Sequence, residues 1–215
     1  MDEGARFWDR LLAAPALPWG RGASPVVELL AARLPAGAAV LVPGCAYGRN
    51  AWALARRGFA VTAYDYAPAA IARARAEFAH PRVRYLVADA RDVPPGAYQG
   101  VFCHFLLHLF FRAAERRALV AALAAALAPG GLLLASGLST RAPFFGRGTE
   151  LEPDTWSNPG WVPIHFYTAA SLAAELAPLT ILSAVEGDEP EDKPDGRVLT
   201  PAVYALAQRP AGAPA

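Results

Sequence analysis

Two glycines and a carboxylate are the residues of this chain whose types and spacing most directly predict chemistry. Gly44 and Gly48 lie in the loop after the apolar run 39–42, and Asp65 closes the next apolar run, 61–64. A strand, a glycine-bearing turn, a helix and a second strand that ends in an acid form a βαβ unit. In such a unit a nucleotide lies over the carboxyl end of the first strand, and the acid accepts hydrogen bonds from ribose hydroxyls. The segment therefore predicts a site for an adenosine-containing cofactor.

The glycine spacing separates the possible cofactors. A dinucleotide-binding loop follows the pattern G-x-G-x-x-G, which holds a pyrophosphate. Here the loop reads Gly44-Cys-Ala-Tyr-Gly48, and Arg-Asn-Ala follows where a third glycine would stand. The sequence thus disfavours an NAD(P)-dependent oxidoreductase. S-adenosylmethionine (SAM) carries no phosphate, so its loop needs only small residues near the amino-acid portion and an acid for the ribose.

The segment Leu41-Val-Pro-Gly-Cys45 resembles motif I of the class I SAM-dependent methyltransferases. It looks most like the thiopurine, thiol and halide branch, in which a proline commonly precedes Gly-Cys. Val42 stands where most other families have an acid, and Ala46 stands at the position of a usual glycine. The resemblance covers roughly residues 20–208 and implies SAM as the cofactor.

Composition excludes several other classes. The net charge is +1, and the basic residues are spread along the chain, which gives no basic stripe for nucleic acid. The two cysteines cannot form a disulfide framework. No signal-peptide core, membrane-spanning run or metal-binding motif is recognisable, so we expect a cytoplasmic protein that uses no metal. Nearly all the basic residues are arginines, and Lys193 is the only lysine.

Alternating strands and helices predict a doubly wound α/β fold. The predicted strands are residues 38–42, 60–64, 83–87, 100–104, 132–137, 180–186 and 198–208. The predicted helices are residues 2–14, 25–34, 48–57, 68–78, 112–127 and 169–177. The methyltransferase resemblance implies a Rossmann-like, seven-stranded sheet of order 3-2-1-4-5-7-6 with strand 7 antiparallel.

The chain length fits one domain. Residues 1–23 are predicted to form an N-terminal helix and lid segment, and residues 24–209 the methyltransferase domain. Residues 139–166, rich in Gly, Pro and aromatic residues, predict an ordered insertion on the substrate side. The acidic stretch 187–196 predicts an exposed hairpin loop between the last two strands.

The resemblance also assigns residues to the cofactor. Asp89 would pair with the adenine amino group, with Asp92 as its competitor, and Ala90 would offer a backbone amide. Asp65 would bind the ribose, although an acid there can also cap the next helix. The predicted cofactor-binding set is Trp19, Gly44, Cys45, Gly48, Asp65, Tyr66, Asp89, Ala90, His104 and Phe105.

The aromatic insertion predicts the substrate side. Ligands bind at the carboxyl edge of open α/β sheets, and aromatic faces attract a sulfonium charge. The segment around His165 also resembles small-molecule methyltransferases of the tellurite-resistance type. The predicted substrate-binding set is Arg141, Phe144, Phe145, Arg147, Trp156, Trp161 and His165. The predicted catalytic residues are His165, Tyr167 and His104, since histidine titrates near neutral pH; His104 and His108 could equally be core residues.

These observations predict a SAM-dependent enzyme that methylates a small molecule at sulfur, nitrogen, oxygen or a chalcogen. An alternative is a catalytically degenerate SAM-binding module that acts as a sensor or subunit. Val42, Ala46 and Gly100 favour that alternative, because related enzymes commonly have other residues at these positions. No motif or basic face supports a nucleic-acid or protein acceptor, and the sequence leaves the oligomeric state open.

Overall fold

A seven-stranded sheet forms the centre of the protein in the computed structural model, which describes residues 3–157, 162–193 and 195–212. The strand order is β3-β2-β1-β4-β5-β10-β9, with β10 antiparallel to both of its neighbours. This confirms the predicted fold class and sheet order. The strands of this sheet are β1 (Ala39–Pro43), β2 (Ala60–Asp65), β3 (Val83–Val87), β4 (Tyr98–His104), β5 (Leu127–Leu138), β9 (Thr180–Lys193) and β10 (Gly196–Gln208).

Helices cover both faces of the sheet, because its central strands are apolar on both sides. Val40 and Val42 of β1 face one core cluster, which includes residues of α2, α3 and α4. Leu41 faces the opposite cluster, which includes residues of α5 and α6. The helices are α1 (Glu3–Ala13), α2 (Val27–Ala31), α3 (Arg49–Arg56), α4 (Pro68–Glu77), α5 (Ala113–Ala126) and α6 (Ala169–Glu175), with a 3₁₀ turn at Leu107–Leu109. Within the described residues, none of the helices is long and apolar enough to cross a membrane.

The insertion after β5 contains a small sheet of its own. Its antiparallel strands are β6 (Glu150–Glu152), β7 (Thr155–Trp156) and β8 (Ile164–His165). Leu138, Ala142, Ile164 and Phe166 form a separate buried cluster beneath it, with Phe144, Phe145 and Trp156 packed around them. The insertion is therefore held by its own apolar core at the carboxyl edge of the main sheet.

The prediction of an exposed loop at residues 187–196 is wrong. Strand β9 continues to Lys193 and β10 begins at Gly196, while the last pair between β10 and β5 is Ala202 with Leu138. The outer part of the β9–β10 hairpin, residues 188–193 and 195–201, therefore extends beyond the carboxyl edge of the sheet; we call it the overhanging hairpin. The acidic residues of this hairpin can form a strand because alternate side chains face inward. There Glu189 accepts a hydrogen bond from Tyr204, and Glu191 accepts one from Thr200.

Candidate functional site

The loop between β1 and α3 has the backbone of a close-approach site. Gly44, Ala46 and Gly48 all have positive φ angles, of 59°, 47° and 90°. A Cβ atom at Gly44 would lie 2.8 Å from Leu106 Cδ1, and one at Gly48 would lie 2.6 Å from the hydroxyl oxygen of Tyr85. Glycine is therefore required at both positions. Ala46 adopts the same left-handed region at a cost of about 1–2 kcal/mol, since its Cβ crowds the following carbonyl.

Asp65 ties this loop to the second strand. Its Oδ2 accepts the backbone N–H of Ala46 at 2.9 Å, and its Oδ1 accepts that of Ala67 at 3.0 Å. Burial raises the pKa of this carboxyl group, against the lowering effect of its backbone donors. Asp65 also lines the cavity described below, where a carboxylate can accept further hydrogen bonds.

The N-terminal segment covers the loop. The indole of Trp19 stacks on the ring of Tyr47, with centroids 6.0 Å apart. The Tyr47 hydroxyl donates to the carbonyl of Gly20, and the buried Arg49 guanidinium donates to the carbonyls of Trp19 and Gly22. This segment is thus fixed to the start of α3 by both stacking and hydrogen bonds.

Two histidines and a phenylalanine form the floor of the site. Phe105 has a positive φ of 51° and packs edge-on between His104 and His108, at 4.7 and 5.5 Å. Burial lowers the pKa of His104 well below its ordinary value and that of His108 to about 3. Both imidazoles are therefore neutral at neutral pH. The Nδ1 atom of His104 lies 2.8 Å from the Ser136 hydroxyl.

The insertion contributes few of its predicted residues to this space. Phe144 and Ile164 line the cavity. Phe145 and Trp156 pack against each other beside it, 5.9 Å apart. Arg141 forms ion pairs with Glu186 and Asp188 on the outer side, and Arg147 is exposed. Trp161 lies outside the described residues.

His165 and Tyr167 contact each other outside the cavity lining. Their rings meet edge-on at 4.5 Å, and Nδ1 of His165 is 2.8 Å from the hydroxyl of Thr155. Burial lowers the pKa of His165 to about 3 and raises that of Tyr167 above its usual range. Neither residue lines the cavity. A catalytic role for them stays a prediction.

The residues predicted to lie near adenine differ in whether they line the cavity. Tyr66 and Ala90 line the cavity, whereas Asp89 does not. The Asp89 carboxylate instead pairs with the guanidinium of Arg91, which lowers the pKa of the acid. Contact between Asp89 and adenine stays a prediction.

Sequence reasoning missed the residues that the overhanging hairpin adds. Glu191, Lys193 and Thr200 all line the cavity. The Glu191 carboxylate accepts from the Thr200 hydroxyl at 2.7 Å and lies 3.3 Å from the Lys193 ammonium. The signal was present as the alternation Glu189-x-Glu191-x-Lys193, which is the period of a strand.

The glycine loop, the N-terminal segment, the His104–His108 floor and the overhanging hairpin surround one cavity of about 440 Å³ above the carboxyl ends of β1, β2 and β4. Its lining is mostly apolar, as is usual for small-molecule sites. The Gly44–Gly48 loop has no room for side chains at its glycines, and Asp65 provides an acceptor at the end of β2. These features fit an adenosyl ligand without a phosphate. Among the described residues, no group of His, Cys, Asp and Glu is arranged to bind a metal.

Comparison with known proteins agrees with this geometry. Residues 40–131 match the family model described as methyltransferase domain. The chain is 32% identical over 167 residues to the ribosomal protein L11 methyltransferase of Bordetella parapertussis, an alignment of 70% of this chain and 50% of that protein. It is 35% identical over 141 residues to the ubiquinone biosynthesis O-methyltransferase of Xanthomonas axonopodis pv. citri, covering 62% and 56%. The chain thus spans about half the length of these curated relatives.

The fold is shared with solved structures. The N-methyltransferase NodS of Bradyrhizobium japonicum WM9, in complex with S-adenosylhomocysteine, superimposes with a TM-score of 0.71. The comparison covers 97% of this chain and 100% of that chain at 20% identity. Residues 40–131 therefore match the methyltransferase domain family, and the strand order and this superposition show that the chain has the fold of the class I SAM-dependent methyltransferases.

Proposed function

We propose that the protein is a SAM-dependent methyltransferase whose acceptor is a small molecule. The observation that carries the proposal is the cavity that joins the Gly44–Gly48 loop to Phe144 and Ile164 of the insertion. A cofactor on the loop and an acceptor beside Phe144 would share this space. The N-terminal segment, the insertion and the overhanging hairpin all line this cavity, which favours a small acceptor over a protein side chain.

Asp65 and the glycine loop would hold the cofactor. The carboxylate of Asp65 would accept hydrogen bonds from the ribose hydroxyls, and the absence of side chains at Gly44 and Gly48 would let the backbone approach the methionyl portion. Trp19 would cover the ligand, since it already stacks above Tyr47. When bound, SAM supplies an electrophilic methyl group on a positively charged sulfur.

The residues of the chain would act mainly by alignment and by excluding water. The neutral imidazoles of His104 and His108 place no positive charge at the floor, so they would not repel a sulfonium. The ring of Phe105 between them presents an aromatic surface of the kind that attracts a cation. An acceptor that lies against Phe144 would be aligned without a dedicated catalytic triad.

Calorimetric titration with S-adenosylhomocysteine, SAM and NAD tests the proposal. We expect micromolar binding of both sulfur compounds and no heat from NAD, followed by methylation of a member of a thiol and heteroaromatic acceptor panel. Binding of both sulfur compounds without product from any acceptor would instead support a sensor or subunit. Absence of binding to either sulfur compound would overturn the cofactor assignment.

The Asp65→Ala variant sharpens this test. We expect it to lose S-adenosylhomocysteine binding, because the ribose acceptor is removed. Asp65 also anchors the amides of Ala46 and Ala67, so the thermal unfolding of the variant is measured alongside. A folded variant with near-wild-type affinity would contradict the role of Asp65.

A further inference from the structure

The charged residues that line the cavity fall into two groups. Asp65 lies at the end of β2, in the position proposed for the ribose. The remaining charged side chains, Arg49, Glu191 and Lys193, come from the start of α3 and from the overhanging hairpin. The hairpin therefore adds opposite charges to a cavity whose lining is otherwise mostly apolar.

The overhanging hairpin lies close to the glycine loop and its cover. A Cβ atom at Gly20 would be only 2.6 Å from the carbonyl oxygen of Asp192, so the N-terminal segment packs directly on the hairpin. The charge of Glu191 also acts on the Tyr47 hydroxyl, which belongs to the loop itself. Glu191 and Lys193 are thus on the side of the cavity where the loop between Gly44 and Gly48 lies.

The arrangement of these two side chains suits a ligand that carries both charges. Glu191 is 6% exposed, and its carboxylate is oriented by the Thr200 hydroxyl. The ammonium of Lys193 lies beside it and is the only lysine ammonium of the chain, since the other basic side chains are arginines. A carboxylate next to an ammonium complements the ammonium and carboxylate of an α-amino acid. Charge-assisted hydrogen bonds of this kind are stronger than neutral ones.

We infer that Glu191 and Lys193 bind the zwitterionic α-amino-acid group of the cofactor, with Thr200 orienting Glu191. This inference rests on the proposed function and adds to it a recognition site outside the glycine loop. Glu191 receives the α-ammonium group, and Lys193 receives the α-carboxylate. The overhanging hairpin then closes the methionyl end of the cavity, while Asp65 serves the ribose end.

Two ligands that differ in the amino-acid group test the inference. S-adenosylhomocysteine has this group, and 5′-methylthioadenosine lacks it while keeping the adenosine and the sulfur. Calorimetry measures the affinity of both ligands for the wild type, Glu191→Gln and Lys193→Met. We expect each substitution to weaken S-adenosylhomocysteine about tenfold, equivalent to about 1.4 kcal/mol, and to change 5′-methylthioadenosine less than twofold. Glu191→Gln keeps an oxygen for Thr200, so the hairpin should retain its fold.

Asp188→Asn is the matched control, because it removes a carboxylate from the outer side of the same hairpin, where Asp188 pairs with Arg141. It should change neither affinity. Equal weakening of both ligands, or no weakening of S-adenosylhomocysteine, in Glu191→Gln and Lys193→Met would overturn the inference. Failure of the wild type to bind either ligand would instead overturn the proposed function, so the two failures are distinguishable.

Discussion

The Nε2 atom of His104 lies 3.8 Å from the Oε1 atom of Glu189, and among the described residues neither atom has a hydrogen-bond partner. The two side chains come from β4, the central strand of the sheet, and β9, an edge strand three positions away. Glu189 is completely buried, and its other oxygen accepts from the Tyr204 hydroxyl at 2.9 Å. A carboxyl group and an imidazole thus face each other beneath the cavity at a distance beyond a normal hydrogen bond.

This relationship predicts the effect of Glu189→Gln on stability. Burial raises the pKa of Glu189 above its ordinary value, so ionisation of the folded protein is penalised. The penalty is absent below the unfolded pKa and grows as the pH rises through the folded pKa. Glutamine has no charge and can still accept from Tyr204. We therefore expect the variant to gain about 1 kcal/mol over the wild type between pH 5 and pH 8.

Urea unfolding of both proteins across this pH range measures the gain. The opposite result would be a variant that becomes less stable than the wild type as the pH rises. It would mean that the folded protein stabilises the ionised carboxylate of Glu189. Its partner would then be a protonated His104, and the neutral floor would be refuted.

Ala46→Gly should stabilise the protein. Ala46 has a φ of 47°, which glycine adopts without steric cost, and the N–H that donates to Asp65 is retained. Relief of about 1–2 kcal/mol of strain outweighs the extra backbone entropy of glycine, about 0.5–1 kcal/mol. The matched control is Ala67→Gly, because Ala67 donates to the other oxygen of Asp65 from an extended conformation with a φ of −82°. The thermal unfolding temperature should rise for Ala46→Gly and fall for Ala67→Gly. A change of the same sign in both variants would contradict the strain at Ala46.

Trp19→Leu should weaken binding of S-adenosylhomocysteine by about tenfold. Trp19 lines the cavity and stacks on Tyr47, so the smaller side chain opens the cover and loses the aromatic surface. Trp52→Leu is the control, since Trp52 packs on Phe78 and does not line the cavity. Titration calorimetry on both variants checks the prediction. Equal affinities of Trp19→Leu and Trp52→Leu would show that the N-terminal segment does not cover the ligand. Removal of residues 1–20 should in that case also leave binding unchanged.

Stability should decrease as the pH falls below about 6.5. The pKa values of His108 and His165 are lowered to about 3, chiefly by burial, whereas in the unfolded chain histidine titrates near 6.5. Between these values the unfolded state binds more protons, so the free energy of unfolding falls by up to about 1.4 kcal/mol per pH unit for each histidine. The raised pKa values of Asp65 and Glu189 oppose this trend, because those groups take up protons in the folded state.

His165→Gln isolates one histidine of this effect. Glutamine can still hydrogen-bond to Thr155, and it removes one titrating group. Urea unfolding at pH 7, 6 and 5 should give a shallower pH dependence than in the wild type. Two parallel curves would show that His165 is already protonated in the folded protein.

The positions of the glycine loop and Asp65 could be predicted because these residues lie within one βαβ unit of the sequence. The loop from Gly44 to Gly48 follows directly on β1, and Asp65 is the last residue of β2, so strand and helix periodicity was enough to place them at one edge of the sheet. The sheet order followed from the family resemblance, since periodicity alone indicates a doubly wound fold without an order.

The rest of the cavity lining could not be predicted, because it depends on contacts between segments that are distant in the sequence. Arg141 forms ion pairs with Glu186 and Asp188 and does not line the cavity. Among the described aromatic residues that were predicted in the insertion, only Phe144 lines the cavity. Local patterns cannot show which side of a loop turns inward, because the insertion folds on its own apolar cluster.

The sequence by itself determined the class of fold and the position of the nucleotide loop, because glycine conformation, strand periodicity and a terminal acid are local properties. Only the tertiary structure decided that the acidic stretch near the C-terminus lies over that loop. Glu189 and Glu191 are charged residues that read as solvent-exposed, yet both are buried by partners on β10. Burial of a carboxyl group depends on hydrogen-bond donors brought from elsewhere in the chain, and the pairing of β9 with β10 beyond the edge of the sheet supplies them.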